Sequence, residues 1–65
     1  MAESEEFLRR AWALERNPEI GAHLGEVLWV SGKYEAARAI WREAIKVDSE
    51  NQVLQETLQR LDGGP

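Results

Sequence analysis

The 65-residue sequence predicts an all-α fold built from antiparallel helical hairpins, with about four helices. Three observations predict this fold class. Apolar residues recur every three or four positions in four successive segments, which is the spacing of one helix face. No segment alternates apolar and polar residues with the period of two that a strand needs. The connections between the segments are short, and short connections place neighbouring helices antiparallel.

The first predicted helix covers residues 4–16 and ends before a strong start signal for the second. Ser4 is a good N-cap, and the acidic residues that follow it suit the N-terminal end of a helix. Asn17 can cap the second helix, and Pro18 fits its first position. The predicted core stripe of the first helix consists of Phe7, Ala11 and Leu14, with Leu8 beside them.

The second predicted helix covers residues 18–31, and Gly32 is its predicted C-cap. Its predicted core stripe consists of Ile20, Leu24, Val27 and Leu28. Gly21 and Gly25 are four positions apart and therefore lie on one helix face. A glycine inside a helix costs roughly 1 kcal/mol relative to alanine, but tertiary packing can offset that cost. The two glycines predict that a neighbouring helix approaches this one closely.

Two further amphipathic helices follow. The third covers residues 33–47, and its broad apolar stripe consists of Tyr34, Ala37, Ile40, Trp41, Ala44 and Ile45. The fourth covers residues 49–62, and Ser49 with Gln52 has the spacing of a capping box. Its predicted apolar side consists of Val53, Leu54, Leu58 and Leu61, opposite a side rich in glutamine. A short tail over residues 63–65 ends the chain.

The stretch PEIGAHLGEVLWVSGKYEAARAIWREAIKVDSEN resembles one tetratricopeptide repeat, a helix–turn–helix unit of about 34 residues. The positions that match the family pattern are Leu24, Gly25, Leu28, Gly32, Tyr34, Ala37, Trp41, Ala44 and Ile45. Two positions depart from it, because Gly21 stands where the family often has a bulky aromatic residue and Ser49 replaces the usual proline.

The resemblance extends over nearly the whole chain. Residues 4–16 resemble the second helix of a truncated preceding repeat, residues 18–48 a full repeat, and residues 49–62 the helix that closes such arrays. Residues 1–65 are therefore predicted to form a single domain that is a fragment of a tetratricopeptide α-solenoid. The chain is similar, more narrowly, to the C-terminal end of bacterial tetratricopeptide proteins, some of which are outer-membrane lipoproteins that recruit periplasmic partners.

The resemblance implies a non-catalytic scaffold that binds a peptide or protein partner through the face of helix 18–31. The positions that match the ligand groove of the family are Glu19, Ala22, His23, Glu26, Trp29 and Val30. Helical rotation places Trp29 away from the predicted core stripe, and an exposed tryptophan is a good anchor for a partner. The alternative is that Trp29 packs against a neighbouring repeat or the end helix, since large aromatic residues are more often buried.

Self-association is the second hypothesis for the function. A single repeat cannot bury its apolar faces alone, and the first helix has no predecessor in this sequence to cover it. The chain is therefore expected to be either a C-terminal fragment or a short protein that forms a homodimer. The residues predicted near such a contact are Phe7, Leu8 and Trp12.

Composition argues against several other classes of function. The formal net charge of −4 and the absence of a basic run oppose nucleic-acid binding, even though the turn at Gly32 superficially suits a DNA reader. The chain has no cysteine and one histidine, which falls short of a zinc site. Glu19, His23 and Glu26 have a spacing that a weak metal site or an acid–base pair could use, but one helix supplies no pocket around them. We therefore expect no enzyme activity, no metal and no cofactor.

The sequence carries little information about the compartment. No apolar segment reaches the roughly 20 residues that span a membrane. The acidic start MAESEEF lacks the positive and apolar segments of a signal peptide. A stand-alone chain is therefore expected in the cytoplasm, whereas a piece cut from a lipoprotein would belong to the periplasm or the outer membrane.

Overall fold

The computed structural model describes residues 2–63, and this range contains four α-helices joined by short connections. Their bounds are α1 Ala2–Leu14, α2 Pro18–Val30, α3 Tyr34–Val47 and α4 Gln52–Asp62. The described chain contains no strand. The prediction of an all-α fold of helical hairpins is thus confirmed. Met1 and most of the predicted tail, residues 64–65, lie outside the described residues.

The start of α2 is capped as the sequence predicts. Oδ1 of Asn17 accepts a hydrogen bond from the backbone N–H of Glu19 at 2.8 Å, and Pro18 is the first helical residue. At the other end Gly32 has a φ of +86°, a left-handed conformation that glycine adopts without strain. This residue turns the chain from α2 into α3.

Two predicted helix starts are wrong. Helix α1 already includes Ala2, so Ser4 lies within the helix rather than at its N-cap. Helix α4 begins at Gln52, and its N-cap is Asn51, whose Oδ1 accepts from the backbone N–H of Leu54 at 3.1 Å. Asparagine is as good an N-cap as serine, and the turn before α4 places Asn51 rather than Ser49 next to the first helical residue.

Helix α2 is the centre of the molecule. Helices α1, α3 and α4 all pack against α2, and α4 also contacts α3. The buried core draws on all four helices and consists of Trp12, Ala22, Leu24, Leu28, Ala37, Trp41, Ala44, Leu54 and Leu58. Thr57 is the one buried polar residue among residues 3–63, and its hydroxyl donates to the carbonyl of Val53 at 2.8 Å.

The two glycines of α2 lie directly against tryptophan rings. A Cβ at Gly25 would lie 2.5 Å from Cε2 of Trp41, and a Cβ at Gly21 would lie 2.9 Å from Cζ3 of Trp12. The indole N–H of Trp41 also donates a long hydrogen bond, 3.5 Å, to the carbonyl of Ala22. Real Cβ atoms do not approach other atoms this closely, so only glycine fits at these positions. The prediction that the glycines allow close approach between helices is confirmed.

The buried face of α2 is rotated relative to the predicted stripe. Leu24 and Leu28 are fully buried as predicted, but Ile20 and Val27 are only half-buried. The two glycines and Ala22 complete the buried face instead. The reason is that the flat glycine surface accepts the large indole rings of α1 and α3, so this side of α2 turns inward.

The predicted core stripe of α1 is wrong for a related reason. Phe7 is 71% exposed and Leu14 is 90% exposed, whereas Leu8 and Trp12 face α2. The indole ring of Trp12 fits against Gly21, and this contact sets the rotation of α1. The stripe formed by Phe7, Ala11 and Leu14 is thus left on the outside of the molecule.

Candidate interaction surface

An open groove lies between α1 and α2 and has a volume of about 550 Å³. Residues of both helices line it: Ser4, Leu8, His23, Glu26, Val27 and Val30. Three of the six side chains are aliphatic, and three carry polar groups. Val30, at the C-terminal end of α2, is 64% exposed. The groove therefore offers apolar contact area together with a few groups that form hydrogen bonds, a combination common in binding sites.

Four of the six predicted partner-binding residues share the free face of α2. His23, Glu26 and Val30 line the groove, and they lie three and four positions apart along the helix. Glu19 is exposed one turn before His23 and extends the same face. The sequence did not predict that Leu8 and Ser4 would complete this groove from α1, because the rotation of α1 depends on the contact between Trp12 and Gly21.

Glu26 connects the groove to α4. Nη2 of Arg60 donates to Oε1 of Glu26 at 2.9 Å, and this hydrogen bond, followed by the charge of the carboxylate, raises the pKa of the Arg60 guanidinium. The ion pair offsets part of the negative charge at the groove. It also fixes the carboxylate of Glu26 at the side of the groove that faces α4.

Ala22 and Trp29, also predicted to bind a partner, do not lie on the free face. Ala22 is fully buried. Trp29 is half-buried and packs on α3, with its ring centroid 5.5 Å from that of Trp41 and 4.7 Å from that of Tyr34. The guanidinium of Arg38 lies 5.4 Å above the Trp29 ring. The prediction that Trp29 faces away from the core is therefore wrong, because the rotated face of α2 turns it toward α3.

The three residues predicted for self-association have different environments. Trp12 is only 5% exposed, and its ring contacts Gly21, so it belongs to the core and does not lie on a free surface. Leu8 is half-buried in the groove, and Phe7 is exposed. Leu14, which was predicted to lie in the core stripe of α1, is the most exposed large apolar side chain of the described residues. Its spacing of seven from Phe7 places both residues on one face of the helix.

A charged cluster ties the N-terminal part of α1 to the turn between α2 and α3. Nζ of Lys33 donates to Oε1 of Glu5 at 2.9 Å, and Nε of Arg9 donates to Oε2 of the same carboxylate at 3.1 Å. The hydrogen bond from Lys33, and then the one from Arg9, lowers the pKa of Glu5 below its ordinary value. The cluster connects the N-terminal part of α1 to the C-terminal end of α2, at one end of the groove.

The described residues contain no group of three or more histidine, cysteine, aspartate or glutamate side chains arranged to hold a metal ion. Within residues 2–63, no helix is both long and apolar enough to cross a lipid bilayer. Comparisons with family models, with curated proteins and with solved structures found no match to this chain. The tetratricopeptide resemblance therefore stays a prediction from the residues that carry it.

Proposed function

We propose that this chain is a non-catalytic protein-interaction module of the tetratricopeptide kind, which binds a segment of another protein in the groove between α1 and α2. The observation that carries the proposal is the groove itself. The free face of α2, which the family resemblance assigns to ligand binding, borders an open depression with aliphatic and polar lining residues. His23, Glu26 and Val30 are the residues common to the prediction and the groove.

The shape and lining of the groove favour a short polypeptide segment as the ligand. Val30 lies eleven positions after Glu19, which corresponds to about 16 Å along a helix. An amphipathic helix of two to three turns has a matching length, and such helices bind in grooves through side chains three and four positions apart. Its apolar side chains would contact Leu8, Val27 and Val30, and a donor group would reach the carboxylate of Glu26.

Site-specific photo-crosslinking in living cells of the organism that encodes this chain tests the proposal. A photoreactive amino acid replaces Val30 in one variant and Val47 in a control variant. Both positions are more than half exposed, but Val47 lies at the end of α3, outside the groove. We expect the Val30 variant to form a covalent adduct with a different protein that the Val47 variant does not capture. Equal capture by both variants, or no adduct from Val30, contradicts the proposal.

A substitution within the groove sharpens this test. Adding His23→Glu to the Val30 variant places a second carboxylate near Glu26 without touching the core, because His23 is exposed. The yield of the adduct should fall, while far-ultraviolet circular dichroism should show unchanged helicity. An unchanged yield would mean that the captured protein does not occupy the groove.

A further inference from the structure

One ion pair joins the groove between α1 and α2 to helix α4. Nη2 of Arg60 donates to Oε1 of Glu26 at 2.9 Å, and Glu26 lines the groove whereas Arg60 does not. We propose that Arg60 is a positioning residue of the groove, which holds Glu26 ready to accept a hydrogen bond from an uncharged donor group of the ligand. This inference rests on the proposed function and adds the chemistry of the ligand to it.

The contact with Arg60 leaves half of the Glu26 carboxylate available. Arg60 takes Oε1, and within residues 2–63 no hydrogen bond reaches Oε2. A carboxylate accepts hydrogen bonds at both oxygens. The Glu26 side chain is 33% exposed, so a ligand in the groove can reach the second oxygen. The groove thus offers the ligand one strong acceptor whose other oxygen is already bonded.

The hydrogen bond from Arg60 reduces the entropic cost of binding at Glu26. A glutamate side chain on a helix surface samples several rotamers, and fixing such a side chain on binding lowers affinity about two- to tenfold. Arg60 restricts Glu26 before the ligand arrives, so this cost is already met in the free chain. An exposed ion pair contributes little to the stability of a fold, so the effect of Arg60 on binding can be measured without unfolding the chain.

Arg60 also determines which charge the groove accepts. The pair of Glu26 and Arg60 has no net charge, and with neutral histidine none of the other lining residues is charged: Ser4, Leu8, His23, Val27 and Val30. A cationic group of the ligand would be attracted by Glu26 and repelled by Arg60, and it would lose hydration against the aliphatic side chains. An amide or hydroxyl donor loses less hydration and still forms a charge-assisted hydrogen bond with the carboxylate.

The other charges around the groove lie outside its lining. Glu5 is paired with Lys33 and Arg9 at one end. Glu3 and Glu19 are exposed, so water and salt screen them from a ligand in the groove. The ligand is therefore a segment with apolar side chains and an uncharged polar group, such as asparagine, glutamine, serine or threonine, on the side that contacts α2.

Arg60→Gln in the Val30 photo-crosslinking variant tests the positioning role. The variant is expressed at a level at which the adduct yield is well below saturation, so that the yield follows affinity. We expect Arg60→Gln to lower the yield about two- to tenfold. Arg60→Lys keeps the positive charge and a donor, so it should retain most of the yield. Far-ultraviolet circular dichroism of each variant checks that helicity is unchanged.

Arg38→Gln is the matched control for an effect of α4 on the fold. Arg38 forms the other ion pair of α4, with Asp62, and it does not line the groove. This substitution should leave the adduct yield unchanged. An equal fall with Arg38→Gln and Arg60→Gln would mean that a loosened α4, rather than the position of Glu26, weakens binding, and it would overturn the inference.

A Glu26→Ala background shows whether Arg60 acts through Glu26. Once the carboxylate is removed, Arg60→Gln should have no further effect on the yield. A further fall would mean that Arg60 itself contacts the ligand, which overturns the positioning role.

The sign of the Arg60→Gln effect tests the uncharged donor. A rise in yield would mean that Glu26 binds a cation of the ligand, because removal of Arg60 would then remove a repulsion. A rise or an unchanged yield overturns this inference but leaves the proposed function standing, since the adduct from Val30 still forms. The absence of any adduct from Val30 contradicts the proposed function and overturns this inference with it.

Discussion

Helices α1 and α4 both pack against the central helix α2, but only α4 closes its side of the molecule. Leu54, Thr57 and Leu58 of α4 are buried, and its outer side is polar. Two ion pairs also connect α4 to the rest of the fold, one from Arg60 to Glu26 and one from Arg38 to Asp62. Helix α1 also buries one side, yet it leaves two large apolar residues in solvent on the other.

The difference between the two helices shows how the apolar pattern of a terminal helix relates to its neighbours. Helix α4 has one apolar side, and helices α2 and α3 cover it. Helix α1 has two apolar sides, Leu8 with Trp12 and Phe7 with Leu14, but α2 covers only the first. A helix with two apolar sides favours two neighbours, and the described chain supplies only one of them, α2, to α1.

The largest expected effect is a difference between two leucine substitutions, one on each terminal helix. Leu54→Ala removes a fully buried side chain of α4, so it should lower the free energy of unfolding by about 2–5 kcal/mol. Leu14→Ala removes an exposed side chain of α1, so it should change stability by less than about 0.5 kcal/mol. Urea unfolding followed by tryptophan fluorescence measures both values.

The comparison between the two helices fails if Leu14→Ala proves as costly as Leu54→Ala. That outcome would mean that the outer face of α1, formed by Phe7, Ala11 and Leu14, is covered within a single chain.

The second prediction concerns Gly25 of α2, the helix against which both terminal helices pack. Alanine is the better helix former, so Gly25→Ala in an open helix should stabilise it by up to about 1 kcal/mol. In this chain the new Cβ meets the indole of Trp41, and the substitution should instead destabilise the fold by about 1–3 kcal/mol. The sign of the change in a thermal or urea unfolding experiment decides between the two expectations.

A double substitution identifies the cause of that destabilisation. The atoms nearest the Gly25 position belong to the five-membered ring of Trp41, which phenylalanine lacks. In a Trp41→Phe background, Gly25→Ala should therefore cost less than in the wild type, and the difference is the coupling energy of the pair. Equal costs in both backgrounds would show that Trp41 is not the obstacle.

The sequence predicts the helices well and their rotation poorly. Spacing and end signals such as Asn17 and Gly32 are local, so they indicate four helices and the turns between them. Which side of α1 and α2 turns inward depends on contacts between distant residues, above all the fit of Trp12 against Gly21. A prediction from apolar stripes gives glycine little weight, although the flat helix surface at a glycine accepts a large aromatic ring. The candidate groove was therefore predicted from α2 alone, with Ala22 and Trp29 wrongly included.

A smaller effect is expected at the contacts of Arg38, which joins α3 to Trp29 of α2 and to Asp62 of α4. Arg38→Gln removes both the cation–π contact with Trp29 and the ion pair with Asp62, so it should cost about 1 kcal/mol. Asp62→Asn removes only the ion pair and should cost less than about 1 kcal/mol. Arg42→Gln is the matched control on α3, since Arg42 is exposed and forms no ion pair among residues 2–63. A cost for the Arg42 variant equal to that for Arg38 would contradict the assignment.

The smallest effect is a pH dependence that arises at α1. Hydrogen bonds from Lys33 and Arg9 lower the pKa of Glu5 in the folded chain, whereas in the unfolded chain the pKa has its ordinary value. The folded state therefore binds this proton more weakly, so the contribution of Glu5 to stability is fully present above that value and is lost as the pH falls through the lowered pKa.

Glu5→Gln should flatten the acid side of a plot of Tm against pH. Glu50→Gln in the turn before α4 is the matched control, because the exposed Glu50 side chain forms no ion pair and accepts no hydrogen bond within the described residues. Equal slopes for wild type and Glu5→Gln would show that the cluster contributes nothing to holding α1 on the central hairpin.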